Sequence, residues 1–259
     1  AHNLALLGAR VSMITALGDD DGARRIEESC RTLGIDLSDA LFVKGGTTST
    51  YLFLADANGD MALAMNDMAI YEHLTPAFLE TKLAMLNGAA LVIMDTNLPS
   101  ESIRYLAEHC TAPLFADPVS VAKAGKLEPV LSRLHTLKPN RMEAELLSGV
   151  TVRDEESLHR AADQLLATGL KRIFISLGAD GVLAADHERK LHLKNLPAEM
   201  VNTTGCGDAF MAATARASLD GADLETTARW GLAAAAIAME SADTINPAMC
   251  RDALAERIK

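Results

Sequence analysis

Short apolar runs alternate with longer amphipathic segments along most of this chain. The short runs predict strands at residues 11–17, 89–95, 114–117, 135–138 and 172–177. The longer segments predict helices at residues 22–33, 75–86, 100–109, 141–148, 155–168, 209–219, 224–241 and 248–257. Strands that alternate with helices are typical of an α/β fold, in which helices cover a mostly parallel sheet.

One region departs from this alternation. Residues 47–55 and 60–65 have the composition of strands, and the Asn-Gly pair between them favours a hairpin turn. The acidic residues around this turn also match part of a calcium-binding loop, but Met61 stands where that loop needs glycine, and strands rather than helices flank it. We therefore predict a small hairpin at about residues 44–66. An ordinary hairpin at the edge of a sheet is the simplest interpretation of this pattern.

Length and composition limit the classes of protein to consider. A chain of 259 residues with 49% hydrophobic residues predicts one domain over residues 1–259. No apolar run reaches the roughly 18 residues that span a bilayer, and no signal peptide opens the sequence, which predicts a cytoplasmic protein without a membrane partner. The net charge of −11 disfavours a nucleic-acid polymer as partner. Zinc hydrolysis and dehydrogenation are disfavoured because their histidine and glycine motifs are absent.

A glycine-rich segment carries the clearest chemical signal. Residues 202–208 read Asn-Thr-Thr-Gly-Cys-Gly-Asp and precede a run of small residues that predicts a helix. The glycines let a ligand approach the backbone, and the free N–H groups of the first helical turn favour an anion such as phosphate. The helix dipole favours an ionised Asp208, which could deprotonate a hydroxyl beside that anion. A tight turn followed by a capping aspartate would also explain the segment.

Two further motifs follow predicted strands. Residues 137–145 read Leu-Lys-Pro-Asn-Arg-Met-Glu-Ala-Glu, in which Asn140 and Glu143 lie on one face of the next helix. That pair could order metal-bound water and phosphate oxygens, although a helix start with a stabilising acid gives the same pattern. Residues 175–181 read Ile-Ser-Leu-Gly-Ala-Asp-Gly, a strand that ends in a glycine turn.

In their order along the chain, residues 137–145, 175–181 and 202–208, the three motifs resemble the signatures of the PfkB, or ribokinase-like, carbohydrate and nucleoside kinases. The resemblance implies a three-layer α/β/α sandwich with a mostly parallel central sheet, over which the hairpin forms a small lid. It also implies that the family's N-terminal strand is missing from this chain. It further implies ATP and Mg²⁺ as cofactors, a small-molecule nucleoside or sugar as substrate, and a homodimer through the lid.

The resemblance also assigns roles to individual residues. Asp208 would be the catalytic base, and Gly205, Cys206 and Gly207 would form the anion hole. The residues implied for ATP are Lys138, Asn140, Ser176, Gly178, Gly181, Thr204 and Asn246, and those implied for magnesium are Asn140 and Glu143.

Two positions depart from the family's usual pattern. Asn202 stands where many members have an aspartate that helps to hold a monovalent cation, which leaves potassium activation open. Cys206 stands where a small residue is usual. Its place at a helix start predicts a thiol of lowered pKa, with a buried apolar role as the alternative.

Less general segments narrow the resemblance. Residues 48–51, 66–68, 95–97, 117–120 and 134–141 resemble the pseudouridine-phosphorylating members of the family. This implies transfer of the γ-phosphoryl group of ATP to the 5′-hydroxyl of pseudouridine, with Asn66, Asn97 and Asp117 as candidates for substrate recognition. A kinase for ribose, fructose or inosine and a nucleotide-binding protein without turnover are the alternatives.

Overall fold

The computed structural model describes residues 1–55 and 61–259 of the chain. The strands are β1 (Ala16–Leu17), β2 (Leu41–Phe42), β3 (Thr50–Ala55), β4 (Met61–Asp67), β5 (Val92–Asp95), β6 (Leu114–Asp117), β7 (Thr136–Leu137), β8 (Arg172–Ser176), β9 (Val182–Asp186) and β10 (Lys190–Leu193). The α-helices are α1 (His2–Leu6), α2 (Asp21–Leu33), α3 (Pro76–Glu80), α4 (Leu83–Asn87), α5 (Ser100–His109), α6 (Val121–Ala124), α7 (Arg141–Ser148), α8 (Glu155–Ala167), α9 (Cys206–Leu219), α10 (Leu224–Met239) and α11 (Arg251–Ile258). None of the helices in the described part of the chain combines the length and apolar character that a bilayer crossing needs.

Six strands form the main sheet in the order β10–β9–β8–β7–β6–β5. The pairs from β5 to β8 are parallel, whereas β8 pairs antiparallel with β9, and β9 with β10. The parallel part consists of strands that the sequence predicts. The sequence analysis does not predict β9 and β10; β9 is a short run with two alanines and one β-branched residue, Val182, which is a weak strand signal.

Helices pack on both faces of this sheet. In β8, Ile173 and Ile175 belong to the core cluster that includes the buried residues of α5 and α8. Phe174, between them, faces the other way and packs with Phe210 of α9 and Leu232 of α10. Successive residues of a strand point to opposite faces. The arrangement therefore has three layers, as the sequence predicts.

The N-terminal strand prediction needs correction. The sequence predicts a strand over residues 11–17, but only Ala16–Leu17 forms one, and it pairs in parallel with β2 outside the six-stranded sheet. The preceding residues are tied to another segment by separate hydrogen bonds, such as the one from the Met13 N–H to the Asp36 carbonyl (2.8 Å). An apolar extended segment that lacks continuous backbone hydrogen bonds to a neighbouring strand therefore has the same sequence pattern as a strand.

The helix predicted over residues 75–86 is two short helices, α3 and α4. Thr81 lies at the break, where its hydroxyl donates to the Phe78 carbonyl (2.7 Å). A threonine hydroxyl that hydrogen-bonds to a carbonyl at a helix end competes with the backbone bonds that would continue the helix. The apolar spacing runs through this break and does not reveal it.

The predicted hairpin is formed by β3 and β4, which pair antiparallel. Its turn, and with it the calcium-loop hypothesis, lies outside the described residues. Leu52 and Met65 are paired across the two strands and are more than half exposed, at 59% and 58%. The homodimer contact through this hairpin stays a prediction.

Asp20 joins the start of α2 to the segment that leads into the hairpin. Its carboxylate accepts from the Ala23 N–H (2.9 Å), the Thr48 N–H (2.7 Å) and the Thr48 hydroxyl (2.7 Å). The bond from Ala23, followed by those from Thr48, lowers the pKa of Asp20 to about 2. The ionised carboxylate thus holds the base of the hairpin against α2.

This contact predicts a pH-dependent loss of stability. The stabilisation by Asp20 is complete above the pKa of an unfolded aspartate, about 4, and disappears as pH falls towards 2. We expect Asp20→Asn to lower the unfolding midpoint at neutral pH, and the difference from wild type to shrink below about pH 4. Thermal melts from pH 7 to pH 2 measure this, with the exposed neighbour Asp21→Asn as control. An equal difference at every pH would contradict the assignment.

Candidate active site

Charged side chains meet where the parallel strands end. Asp95 ends β5, Asp117 ends β6 and Lys138 follows β7. The Lys138 ammonium lies 3.1 Å from a carboxylate oxygen of Asp117, and these two side chains are only 8% and 18% exposed. Ligands of open α/β sheets bind at this edge, so these charged groups cluster where the sequence predicts a site.

The glycine-rich segment forms the N-terminus of α9 beside these strand ends. Gly205 caps the helix in the left-handed conformation, with φ of +87°. Its carbonyl accepts from the Ala209 N–H (2.9 Å). Within the described residues, the N–H groups of Gly207 and Asp208 have no acceptor. Two free donors at the positive end of a helix can bind an anion.

Lys138 lies directly beside these donors. A Cβ atom built on Gly207 would be 3.3 Å from the Lys138 Nζ atom, so the ammonium occupies space that most side chains at 207 would need. The glycine therefore leaves room for a lysine charge next to the residues that carry the two free donors. The contact brings the motif at residues 137–145 next to the glycine-rich segment at residues 202–208.

Gly205 has no room for a side chain. A Cβ atom there would lie 2.3 Å from the Thr244 carbonyl oxygen. We expect Gly205→Ala to lower the free energy of unfolding by about 2 kcal/mol or more, since left-handed strain adds to this clash. Gly221→Ala is the matched control, because Gly221 also has positive φ but no atom within 4 Å of its Cβ position. Urea denaturation of both variants measures the difference, and equal losses would contradict the packing argument.

Asp208 is exposed to solvent at the start of α9. The protein around it still removes enough water to raise its pKa, and the nearby Asp117 carboxylate raises the pKa further. The Lys138 ammonium acts in the opposite direction. The expectation that the helix dipole favours the ionised form is therefore wrong in direction, because dehydration and a second carboxylate outweigh it.

Asn140 and Glu143 form a reciprocal capping box at the start of α7. The Asn140 N–H donates to the Glu143 carboxylate (2.8 Å), and the Glu143 N–H donates to the Asn140 side-chain oxygen (2.9 Å). Glu143 is buried, which raises its pKa; the Asn140 N–H lowers it and the Asp117 carboxylate raises it further. The capping alternative is thus present in the structure, and it leaves a buried carboxylate near Asp117.

This carboxylate pair is the part of the site that suits a divalent cation. No group of three acidic, cysteine or histidine side chains suited to a metal occurs in the described part of the chain. Magnesium commonly takes one or two carboxylates and completes its shell with water and substrate phosphates. The Asp117 carboxylate makes ionisation of Glu143 more costly, and a cation bound near them would relieve that cost. The donor set therefore fits magnesium.

The third motif lies against the second. The Ser176 N–H donates to the Pro139 carbonyl (2.9 Å), which brings the end of β8 to the start of α7. The turn that follows needs its glycines, because φ is +62° at Gly178 and +93° at Gly181. The residues predicted to contact ATP in these two motifs are therefore neighbours in space.

The pKa of the Cys206 thiol shifts in the direction opposite to the prediction. Burial raises the pKa of its thiol, and the sulfur contacts the Asn202 carbonyl at 3.9 Å. The prediction of a thiol with lowered pKa is wrong, because loss of hydration outweighs the helix dipole. The alternative of a small apolar residue fits better.

The remaining predicted residues are held by local hydrogen bonds. The Thr204 N–H donates to the Asn202 side-chain oxygen (2.9 Å). The Asn246 amide donates to the Ile237 carbonyl (2.7 Å) and accepts from the Ala248 N–H (2.9 Å). These two bonds hold Asn246 in the turn that precedes α11.

Asn97 and Asp117 lie at the ends of neighbouring strands, whereas Asn66 is exposed on β4. The Asn97 amide donates to Asp95 (3.0 Å) and accepts from Lys123 (2.6 Å), so its orientation is fixed. Sequence reasoning missed Lys123, since nothing in its local pattern distinguishes it from a surface lysine.

Comparison with known proteins gives the same family as the motifs. Residues 1–249 match the family described as "pfkB family carbohydrate kinase". This chain belongs to the PfkB family. Pseudouridine kinase of Escherichia coli (strain K12) is 33% identical over 249 residues, which are 95% of this chain and 80% of that protein. The uncharacterized sugar kinase YeiI of the same strain is 34% identical over 256 residues, which are 97% and 70% of the two chains.

Solved structures share the PfkB-family fold. A putative sugar kinase from Clostridium perfringens has a TM-score of 0.89 at 29% identity, over 99% of this chain and 82% of the other. Arabidopsis thaliana ribokinase, complexed with ribose and ATP, has a TM-score of 0.88 at 22% identity, over 100% and 85%. The fold is ribokinase-like. As a PfkB-family kinase, the protein is a phosphotransferase that acts on a hydroxyl group of a small sugar or nucleoside, in a family that uses ATP.

Proposed function

We propose that this kinase transfers the γ-phosphoryl group of ATP to the 5′-hydroxyl of pseudouridine. The observation that carries the proposal is the Asp208 carboxylate, which follows the free N–H donors at the start of α9 and lies near the Lys138 ammonium. The pseudouridine kinase of Escherichia coli, which is 33% identical, supports the choice of acceptor.

Asp208 acts as the general base. A base must be unprotonated before the reaction and must hold a proton afterwards, so a pKa above the usual aspartate range improves it. Partial loss of hydration and the Asp117 carboxylate provide that increase, while Lys138 limits it. Asp208 takes the proton of the 5′-hydroxyl as that oxygen attacks the γ-phosphorus.

The anion hole stabilises the moving phosphoryl group. Gly205 and Cys206 set the start of α9, where the N–H groups of Gly207 and Asp208 have no acceptor among the described residues. Lys138 adds a positive charge at the same position. Fixed donors aimed at charge that develops in the transition state give large rate effects.

Glu143 and Asn140 would hold magnesium through its water ligands, near Asp117. When bound, the ion neutralises charge on the phosphate oxygens of ATP. The residues that we propose for the nucleotide are Lys138, Asn140, Ser176, Gly178, Gly181, Thr204 and Asn246. Those proposed for the nucleoside are Asn66, Asn97 and Asp117, of which Asp117 also anchors Lys138.

The first experiment measures ADP release with Mg-ATP and pseudouridine, uridine, inosine, ribose or fructose. Pseudouridine presents one more ring N–H than uridine, so a site with an acceptor for it should prefer pseudouridine by about tenfold or more in kcat/KM. Phosphorus NMR of the product tests whether the phosphate is on the 5′-oxygen. Selective turnover of ribose or fructose would favour the sugar-kinase alternative, and ATP binding without any turnover would favour a non-catalytic role.

A further inference from the structure

The side chain of Asn202 connects the glycine-rich segment to the chain after α10. Its amide nitrogen donates to the Ala242 carbonyl (3.1 Å), and its amide oxygen accepts from the Thr204 N–H (2.9 Å). The second contact fixes the orientation of the first, because a backbone N–H can only donate. The nitrogen, and not the oxygen, therefore faces Ala242.

The two connected segments are in close contact on either side of this bond. The Val201 and Asn202 N–H groups donate to the Met239 carbonyl at 3.0 and 3.1 Å. Beyond the bond, the Thr244 carbonyl packs where a Cβ of Gly205 would be. The segment after α10 thus supports the residue that caps α9, and Asn202 provides a side-chain link between them.

A carboxylate at position 202 would change this contact chemically. It would place an oxygen against the Ala242 carbonyl oxygen, and two oxygens at that distance repel unless a cation or a proton lies between them. The amide supplies its own hydrogen instead. The donor set at this point therefore does not fit the monovalent cation that the family resemblance leaves open.

We propose that Asn202 is a positioning residue that holds the anion hole without a monovalent cation. It acts through Gly205 and the start of α9, and it touches neither ATP nor the acceptor. The proposal depends on phosphoryl transfer at Asp208 but not on which nucleoside or sugar accepts the group. Wild-type activity should therefore be the same in potassium and in tetramethylammonium salts.

The test compares wild type, Asn202→Asp and Asn202→Ala at equal ionic strength in potassium, sodium and tetramethylammonium chloride. Three quantities are measured: kcat with Mg-ATP, the Kd for ATP and the thermal midpoint. Wild type should vary by less than about twofold in kcat. Asn202→Asp should lose about tenfold or more in tetramethylammonium and regain most of it in potassium, with a matching rise in thermal midpoint. Asn202→Ala should lose activity in every salt.

Three results would overturn the proposal. The first is a wild type that loses about tenfold or more in kcat when potassium is removed. The second is an Asn202→Asp variant with the same kcat, Kd and midpoint in all three salts, and the third is an unimpaired Asn202→Ala variant. The ATP Kd and the midpoint need no acceptor, so they remain readable if pseudouridine proves not to be the substrate.

Discussion

Replacement of Asp208 by asparagine should lower kcat by about 10²- to 10⁴-fold, the range expected for loss of a general base. The amide keeps the shape of the side chain but cannot take a proton at neutral pH. The backbone donors and Lys138 remain, so the Kd for ATP should change little. Stopped-time ADP assays and ATP titration measure the two quantities separately.

The same variant should not lose stability. In wild type, the Asp117 and Asp95 carboxylates repel Asp208 and raise its pKa. Removal of one charge relieves that repulsion, so the thermal midpoint of Asp208→Asn should equal or exceed that of wild type. Asp252→Asn is the matched control, because Asp252 is also an acid in a first helical turn, but in α11. A variant with normal kcat would contradict the assignment of the base.

The pH profile offers a check on the same residue. A base works when it is unprotonated, so kcat/KM rises with pH through the pKa of Asp208. An ordinary aspartate has a pKa of about 3.9. Because the pKa of Asp208 is raised in the folded protein, the rise in kcat/KM should occur at a higher pH than that. Asp117→Asn should move the rise to lower pH, since it removes a repelling charge.

The sequence predicts the site better than it predicts the contacts within it. Strand ends can be placed from apolar runs, and parallel strands end at one edge, so Asp117 and Lys138 could be brought together in advance. The direction of the Asp208 pKa shift could not be predicted, because it depends on loss of hydration in the folded protein and on Asp117 and Asp95, which come from distant segments. Helix-dipole reasoning uses only local sequence and gave the wrong direction for Asp208 and Cys206.

A similar limit applies to the fold. Four strands of the parallel part follow from buried apolar runs, whereas β9 is a short run whose strand character depends on its neighbours β8 and β10. The Asn202–Ala242 bond joins residues 40 positions apart. No local pattern predicts such a pair, although the resemblance to the family marks Asn202 as a departure from its usual motif.

Replacement of Lys138 by methionine should damage both stability and catalysis. Methionine keeps much of the apolar length but leaves the Asp117 carboxylate, which is only 18% exposed, without its partner at 3.1 Å. Loss of one member of a buried ion pair costs about 3–5 kcal/mol of unfolding free energy. We expect about 3 kcal/mol here, because Asp117 keeps some hydration. Loss of the charge beside the anion hole should lower kcat by about 10²- to 10³-fold.

A second substitution separates these two effects. Asp117→Asn removes the unpaired charge and keeps an oxygen that can accept from the Val119 N–H, a bond of 2.9 Å in wild type. The double variant Lys138→Met with Asp117→Asn should therefore recover most of the lost unfolding free energy but little of the kcat, because the phosphate still lacks its ammonium. Urea denaturation and ADP assays on all four proteins complete the cycle. Recovery of kcat in the double variant would show that Lys138 acts only by neutralising Asp117, and it would remove the lysine from the proposed phosphate site.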